Sequence, residues 1–221
     1  MQINNCDFPE DLLYDLDNDV WIKLLSENRV RLGITSIHAA LAGKINTVKL
    51  KPLGAVLQKY QSVASIESSR YFGIVRTPLT GTLALVNTRL EATPKLANDF
   101  PYTLGWFAEI ESKLDPNEME SLLEASGGQD KIRARIGNLR VRCFKAFPDY
   151  EMWEIGVECA AVLVRLNDLM ERCKVGDVVH VVSDDPTADI EMERWSDETG
   201  QAVLESRVEG KLTHFIVKKV K

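Results

Sequence analysis

An α+β fold in two domains, a β-rich first part and a two-layer α/β sandwich behind it, is predicted for this sequence by three observations. Between Val30 and Ile110 short apolar runs are punctuated by Gly and Pro, which is the signature of strands joined by turns. Further on, Val162, Leu166, Leu169, Met170 and Cys173 recur at helical spacing. Beyond Gly176 strand, helix and hairpin signals alternate, and elements in that order stack as two layers. The 221 residues, 45% hydrophobic and 27% charged, carry too much apolar side chain and too little net charge for disorder.

Taken in order, Asp7–Asp19 holds six acids and no base, so a mostly exposed lead-in is expected, tacked down by Leu12, Leu13 and Leu16. Strands are expected at Arg29–Ile34, Asn46–Leu50, Val63–Glu67, Phe72–Arg76, Thr82–Asn87 and Trp106–Ile110. A short helix over Ser36–Ala42 stops before Gly43. Asp115-Pro116 opens another helix, with Asp as cap and Pro at the first position. Its Met119, Leu122 and Leu123 share a face, and Gly127-Gly128 ends it. The first domain is therefore expected over residues 1–128, and 129–150 as a linker or leading strand before a second domain over 151–221.

Within that linker, Lys131, Arg133, Arg135, Arg140, Arg142 and Lys145 form a strip without an acid. Leu139, Val141 and Cys143 alternate with Arg140 and Arg142, which reads as the solvated face of a strand. The other reading is a surface for an acidic partner. In the second domain an amphipathic helix leads through Gly176-Asp177 to a strand at Val178–Val182. Asp185-Pro186 starts a helix ending at Gly200. Ala202–Val208 and Leu212–Val220 flank Glu209-Gly210 as a hairpin.

The bulk numbers exclude several classes of function. A net charge of −6 and a pI near 5.2 argue against general nucleic-acid binding. No apolar run approaches the roughly 18 residues of a membrane helix, and Met1–Glu10 does not read as a signal peptide. A cytoplasmic protein is expected, with Cys6, Cys143, Cys159 and Cys173 as reduced thiols. Cys173 reads as a small buried hydrophobe. The cysteines show no C-x-x-C pair, so no zinc site is expected. His38, His180 and His214 have no metal or Ser/His/Asp spacing, and no glycine loop cradles a phosphate. An independent active site is accordingly the weakest of the function classes.

Two constellations carry chemistry. A swinging-arm carrier needs a primary amine at the exposed tip of a tight hairpin, where a ligase acylates it. The segment Val63–Arg76 has that layout, with Ile66-Glu67-Ser68-Ser69-Arg70-Tyr71 at the tip. Leu32-Gly33-Ile34-Thr35, Ala42-Gly43, Glu67-Ser68, Pro78, Gly81 and Asn87 fall in an order that resembles the glycine-cleavage H-protein family. Pro94, Leu96, Asn98, Pro101-Tyr102, Gly105 and Trp106 continue it, so the resemblance spans about Asp15–Gly127. It implies a barrel-sandwich hybrid, two small sheets around one core, and lipoyl-lysine chemistry. The family's lysine falls on Arg70, however, and a permanently protonated guanidinium is not acylated. Asp19-Val20 stands where the family has a histidine before Trp21. A non-lipoylated domain with no cofactor is expected. Arg70 is either a solvated tip residue or a planar fork for a carboxylate or phosphate.

The second constellation is Cys159, after the apolar Trp153–Val157 and at the start of the amphipathic helix. A helix N-terminus favours the thiolate that a persulfide carrier needs. Ile155-Gly156-Val157-Glu158-Cys159, Val175-Gly176-Asp177, Ser183-Asp184-Asp185-Pro186 and the closing Lys218-Lys219 resemble the TusA-type sulfur-carrier family over about Glu151–Lys221. That resemblance implies a two-layer sandwich and a Cys-Pro-x-Pro thiol relaying sulfane sulfur. Ala160 and Val162 replace both prolines here. Ala160-Ala161 would let the helix extend back past Cys159, and Glu158 would raise the thiol pKa.

Two hypotheses follow from the resemblances, a sulfur relay through a Cys159 persulfide and a non-catalytic adaptor that keeps both recognition surfaces without their chemistry. The relay is favoured, because joining two carrier-like domains suits a thiol cargo. A carrier or adaptor is expected rather than a stand-alone enzyme, with Cys159 as its candidate reactive residue. Its expected partners are proteins that recognise carrier domains, sulfurtransferases among them, with no nucleic acid and no membrane.

Overall fold

A computed structural model describes all residues from Met1 to Lys221. The chain divides into two compact units, Met1–Cys143 and Phe144–Lys221, with mixed helix and strand in both.

The first unit begins with short strands β1 (Gln2–Ile3), β2 (Cys6–Asp7) and β3 (Leu13–Asp15), followed by β4 (Val20–Ser26) and β5 (Arg29–Ile34). Helix α1 (Ser36–Ala42) leads to β6 (Ile45–Leu50), β7 (Val56–Leu57), β8 (Ser62–Ser68), β9 (Phe72–Arg76) and β10 (Gly81–Val86). Single helical turns α2 (Arg89–Ala92) and α3 (Leu96–Asp99) precede β11 (Ala108–Glu111), α4 (Pro116–Met119), β12 (Leu123–Glu124) and α5 (Gln129–Leu139). A seven-stranded sheet runs β12-β3-β4-β5-β11-β10-β7, and a three-stranded sheet runs β6-β8-β9. Their shared core includes Val20, Ile22, Leu32, Ile34, Val48, Ile66, Val75, Leu83 and Phe107. The six strands expected between Arg29 and Ile110 are present within two residues at either end. Helix α1 falls where expected, because the Thr35 hydroxyl accepts from the His38 amide at one end and Gly43 takes φ +68° at the other.

Three sequence expectations change here. The lead-in is built into the fold rather than exposed: Phe8, Leu12 and Tyr14 are buried, as are Asp15 and Asp19. The acids serve as acceptors. Asp15 takes hydrogen bonds from the Asp17 amide at 3.0 Å and the Asn18 side chain at 2.7 Å, which closes the β3–β4 turn. The helix opened by Asp115 lasts one turn only, and Leu123 leaves it to pair with Tyr14 in the large sheet.

The segment expected as a basic strand is a helix, α5. Ile132 and Ile136 are its buried residues, at the i, i+4 spacing of one helical face. The alternation at Leu139–Cys143 starts only where Arg140 ends the helix with a left-handed φ of 52°, and so brief an alternation does not define a strand. The first unit thus takes in α5 and ends at Cys143, inside the 129–150 stretch expected to link the domains.

In the second unit, β13 (Tyr150–Glu154), α6 (Cys159–Arg172), β14 (Val178–Ser183), α7 (Ala188–Thr199), β15 (Ala202–Glu209) and β16 (Leu212–Lys218) follow in turn. Their sheet has the order β13-β14-β16-β15, with β13 and β14 parallel and the others antiparallel. Both helices lie on one sheet face. Val162, Leu166 and Met170 of α6 and Met192 and Trp195 of α7 join Met152, Val179, Val181, Phe215 and Val217 in one core.

One glycine shows how tightly the large sheet is packed. Gly33 lies opposite Trp21 in the β4–β5 register, and a Cβ there would come within 2.6 Å of the Trp21 ring. Since Trp21 is 1% exposed, the ring has no room to retreat. Gly33→Ala is expected to lower stability by about 1–3 kcal/mol, the range of core overpacking, read as a reduced urea midpoint at constant m-value.

Candidate functional site

The β8–β9 hairpin presents Arg70 where the sequence places it, in the turn after Ser68. The Ser68 amide donates to the Tyr71 carbonyl at 2.8 Å and the Arg70 amide to the Ser68 hydroxyl at 3.3 Å, so the tip is tight. Arg70 does not stand clear of the body. A Cβ added to Gly43 would lie 3.4 Å from Arg70 Nε, so the guanidinium rests along the C-terminal end of α1. Cations are favoured there by the helix dipole.

Tyr71, the next residue, is the tip's inner anchor. Its hydroxyl lies 3.1 Å from His38 Nε2, and His38 is buried on α1. Burial pushes the His38 pKa down, opposed by the attraction of Asp19. Asp19 in turn accepts from Arg135 of α5, at 3.1 Å from Nε and 2.7 Å from a terminal nitrogen. The hairpin tip meets α1 through Tyr71 and His38, the β4 entrance meets α5 through Asp19 and Arg135, 116 residues apart, and Asp19 acts on His38 through its charge. No motif in the sequence marks this chain of contacts.

Amide-linked lipoate does not fit the groups at this tip. Arg70 offers a guanidinium, which stays protonated and is not acylated. No lysine stands at the tip: Lys49 on the neighbouring strand β6 pairs with Glu67 at 3.5 Å, and Lys59 and Lys95 belong to other turns. Lys59 donates to Ser121 Oγ at 2.8 Å and to the Glu118 carbonyl at 3.2 Å, and Lys95 pairs with Asp99 at 3.4 Å.

In the second unit, β13 is followed by Gly156 at φ +70° and α6 begins at Cys159 with Glu158 as its N-cap. The helix does not extend back past the cysteine, although Ala160 and Val162 stand in place of prolines. The thiol is nonetheless not at an open positive terminus. The Cys159 amide donates to Asp185 Oδ2 at 2.8 Å, and the Gly156 amide donates to Asp184 Oδ1 at 2.7 Å. Asp185 is fixed by the Thr187 amide and hydroxyl at 2.8 and 2.7 Å. Those bonds and the Cys159 amide hold its carboxyl below the ordinary aspartate range.

Cys159 is 4% exposed and packs into the helix–sheet core. Burial first, then the negative charges of Asp185 and Glu191, push its thiol pKa up. The sequence pointed to Glu158 for this effect; the fold assigns it to Asp185 and Glu191. Asp185-Pro186, expected to start α7, precedes its N-cap Thr187, and the Asp185 carboxylate closes the start of α6. The Asp184-Asp185-Pro186 run was its visible signal. Cys173 is buried, as expected for a small hydrophobe.

Cys6 and Cys143 are not reduced thiols. They form a disulfide across a sequence separation of 137 residues, which spacing alone does not reveal. His180 and His214 are also brought together, with Nε2 and Nδ1 2.9 Å apart. Phe144 and Trp153 lie against them, with ring centroids 4.6 and 5.9 Å from His180. Residues alternate across a sheet, and His180 and His214 alternate with the core residues Val179, Val181, Phe215 and Val217. The pair thus faces away from the helices and from Cys159, and takes no part in the thiol's surroundings.

Comparison with known proteins agrees with this division. The family profile described as Glycine cleavage H-protein matches residues 12–134, and that described as Sulfurtransferase TusA matches residues 155–219. A probable glycine cleavage system H protein 2 of Saccharolobus solfataricus is 33% identical over 63% of this chain and 95% of its own length. Glycine cleavage system H protein 2 of Aquifex aeolicus is 32% identical over 64% of this chain and 88% of its own. A crystal structure of a glycine cleavage system H protein from Mycobacterium marinum covers 61% of this chain and all of its own, at 23% identity and a TM-score of 0.49. No helix of the chain is long and apolar enough to cross a membrane.

Proposed function

Because the chain belongs to the glycine cleavage H-protein family and continues into a TusA-like sulfur-carrier domain, we propose that it is a non-lipoylated docking protein of a sulfur-transfer system. Both carrier surfaces engage enzymes that handle carriers, and neither is loaded in the ordinary way. The observation that carries this reading is common to the two units. At each cargo position the surrounding frame is kept while the reactive group is replaced or opposed. The hairpin ends in a guanidinium laid along Gly43, and the thiol is buried beside a carboxylate that occupies its helix start. The raised pKa of Cys159 moves the balance from the relay that its position in the sequence favours toward the adaptor.

The test has two arms. Incubation with a cysteine desulfurase and cysteine, then alkylation and intact-mass measurement, is expected to show no added sulfur under conditions that load a working carrier. Native alkylation of Cys159 at pH 7 is expected to be about tenfold or more slower than that of free cysteine, since the thiolate is the reactive form. A one-sulfur adduct that disappears in Cys159→Ser would establish the relay instead. In the second arm, excess of this protein is expected to slow lipoylation of a genuine H-protein by its ligase, through occupation of the docking surface. Unchanged ligase kinetics would remove the docking role of the first unit.

A further inference from the structure

We propose that the Cys6–Cys143 bridge is a redox clasp that holds helix α5 on the first unit and lets it go on reduction by thiols. Three observations support it. First, the apolar face that seats α5 is narrow. Of its eleven residues only Ile132 and Ile136 are buried, and a helix of this length is marginal in water without tertiary contacts.

Second, both ends of the bridge lie at α5's own packing site. Cys6 is fully buried in the cluster that receives Ile132 and Ile136, together with Ile3, Phe8 and Tyr14. Cys143, half-buried, follows the partly buried Leu139 and Val141 along the edge of that cluster. The bridge therefore ties the chain after α5 to β2, beneath the helix. Third, Cys143 is the less buried half of the bridge, and the sequence around it is cationic. Arg142 and Arg140 precede it in a stretch from Lys131 to Lys145 that contains no acid. Positive neighbours favour both an incoming thiolate and a departing one.

The exchange runs in two displacements. A donor thiolate attacks the Cys143 sulfur; a donor–Cys143 mixed disulfide forms, the Cys6–Cys143 bond breaks, and Cys6 leaves as a thiolate that takes a proton. A second donor thiolate then attacks the donor sulfur of the mixed disulfide and releases Cys143, which is protonated in turn. Two electrons pass from two donor thiols, which end as a disulfide, to the clasp, which ends as two thiols. The donor class is a small thiol or a dithiol protein. Once open, α5 is held by Ile132, Ile136, the partly buried Leu139 and the Arg135–Asp19 pair.

The experiment is hydrogen exchange of the full chain, oxidised and after treatment with dithiothreitol, with free thiols counted by alkylation and intact mass. The oxidised protein is expected to show two free thiols, Cys159 and Cys173, and the reduced protein four. Amide protection over 129–139 is expected to fall about tenfold or more on reduction, as expected when a long closed loop is freed, while β4, β5 and β8 keep theirs. Cys143→Ala is expected to match the reduced pattern without reductant; should it not fold, the reduced wild type carries the same readout. Four free thiols in protein purified without reductant, a bridge that dithiothreitol does not open in the folded protein, or unchanged protection over 129–139 after opening would each overturn the proposal.

Discussion

Arg70→Lys is expected to convert a protein that lipoate ligase leaves untouched into one that carries a lipoyl adduct at residue 70. The hairpin that a ligase would grip is already formed: the Ser68 amide closes on the Tyr71 carbonyl at 2.8 Å, and Tyr71 is anchored to His38. The substitution leaves this frame in place and changes only the terminal group. A guanidinium is charged at every accessible pH and spreads that charge over three nitrogens. A lysine amine, with an ordinary pKa near about 10.4, reaches its neutral, nucleophilic form and attacks an activated acyl group. Intact mass after incubation with ligase and lipoate distinguishes the two proteins, and peptide mapping places the adduct. An adduct on the wild type, or one on Lys59 or Lys95, would show that the tip has been assigned to the wrong residue. Failure of the variant to be modified would show that the docking surface itself is altered.

Arg135→Leu is expected to destabilise the first unit by about 2–4 kcal/mol. The Asp19 side chain is 7% exposed and the Arg135 side chain 33%, so the carboxylate is the partner that is out of water. Removing the guanidinium leaves that charge buried without the two hydrogen bonds it accepts. Breaking a buried pair from one side costs about 3–5 kcal/mol, and the partial exposure of Arg135 discounts that figure. The charge change is felt further along as well. Asp19 raises the His38 pKa against the effect of burial, and the Asp19-to-Ala partner variant removes both the charge and its attraction. A double-mutant cycle of Arg135→Leu with Asp19→Ala in urea unfolding checks the account: the double variant is expected to be less costly than the two singles summed. Strict additivity would mean that the pair contributes nothing specific.

Much of both units was legible because local rules were sufficient. Thr35 and Gly43 bracket α1 by capping and by left-handed geometry, both of which are properties of single residues. The amphipathic period from Val162 to Cys173 locates α6, since one face of a helix is written directly into the spacing. The short strand β3 and the longer β4 are hidden in the sequence, because the acids of the lead-in outweigh Tyr14, Val20, Trp21 and Ile22 in that stretch. Acids normally signal exposure; here Asp15 closes a turn and Asp19 finds a cation more than a hundred residues away. Similarly, the alternation after Leu139 concealed the Ile132–Ile136 pair of α5. Four apolar residues at mixed spacing fit either a strand or a helix, and only the cluster they pack against separates the two.

By itself the sequence determined the order of the two units, the hairpin that ends in Arg70 and the placement of Cys159 at the start of a helix. Each of these depends on the residue present or on neighbours within one turn. Tertiary structure alone decided the company those residues keep. It brought Asp185 from twenty-six residues away onto the Cys159 amide, joined Cys6 to Cys143 across 137 residues, and set Arg135 on Asp19. Charge, burial and covalent pairing act through space, and contact distance is a property of the folded chain rather than of its order.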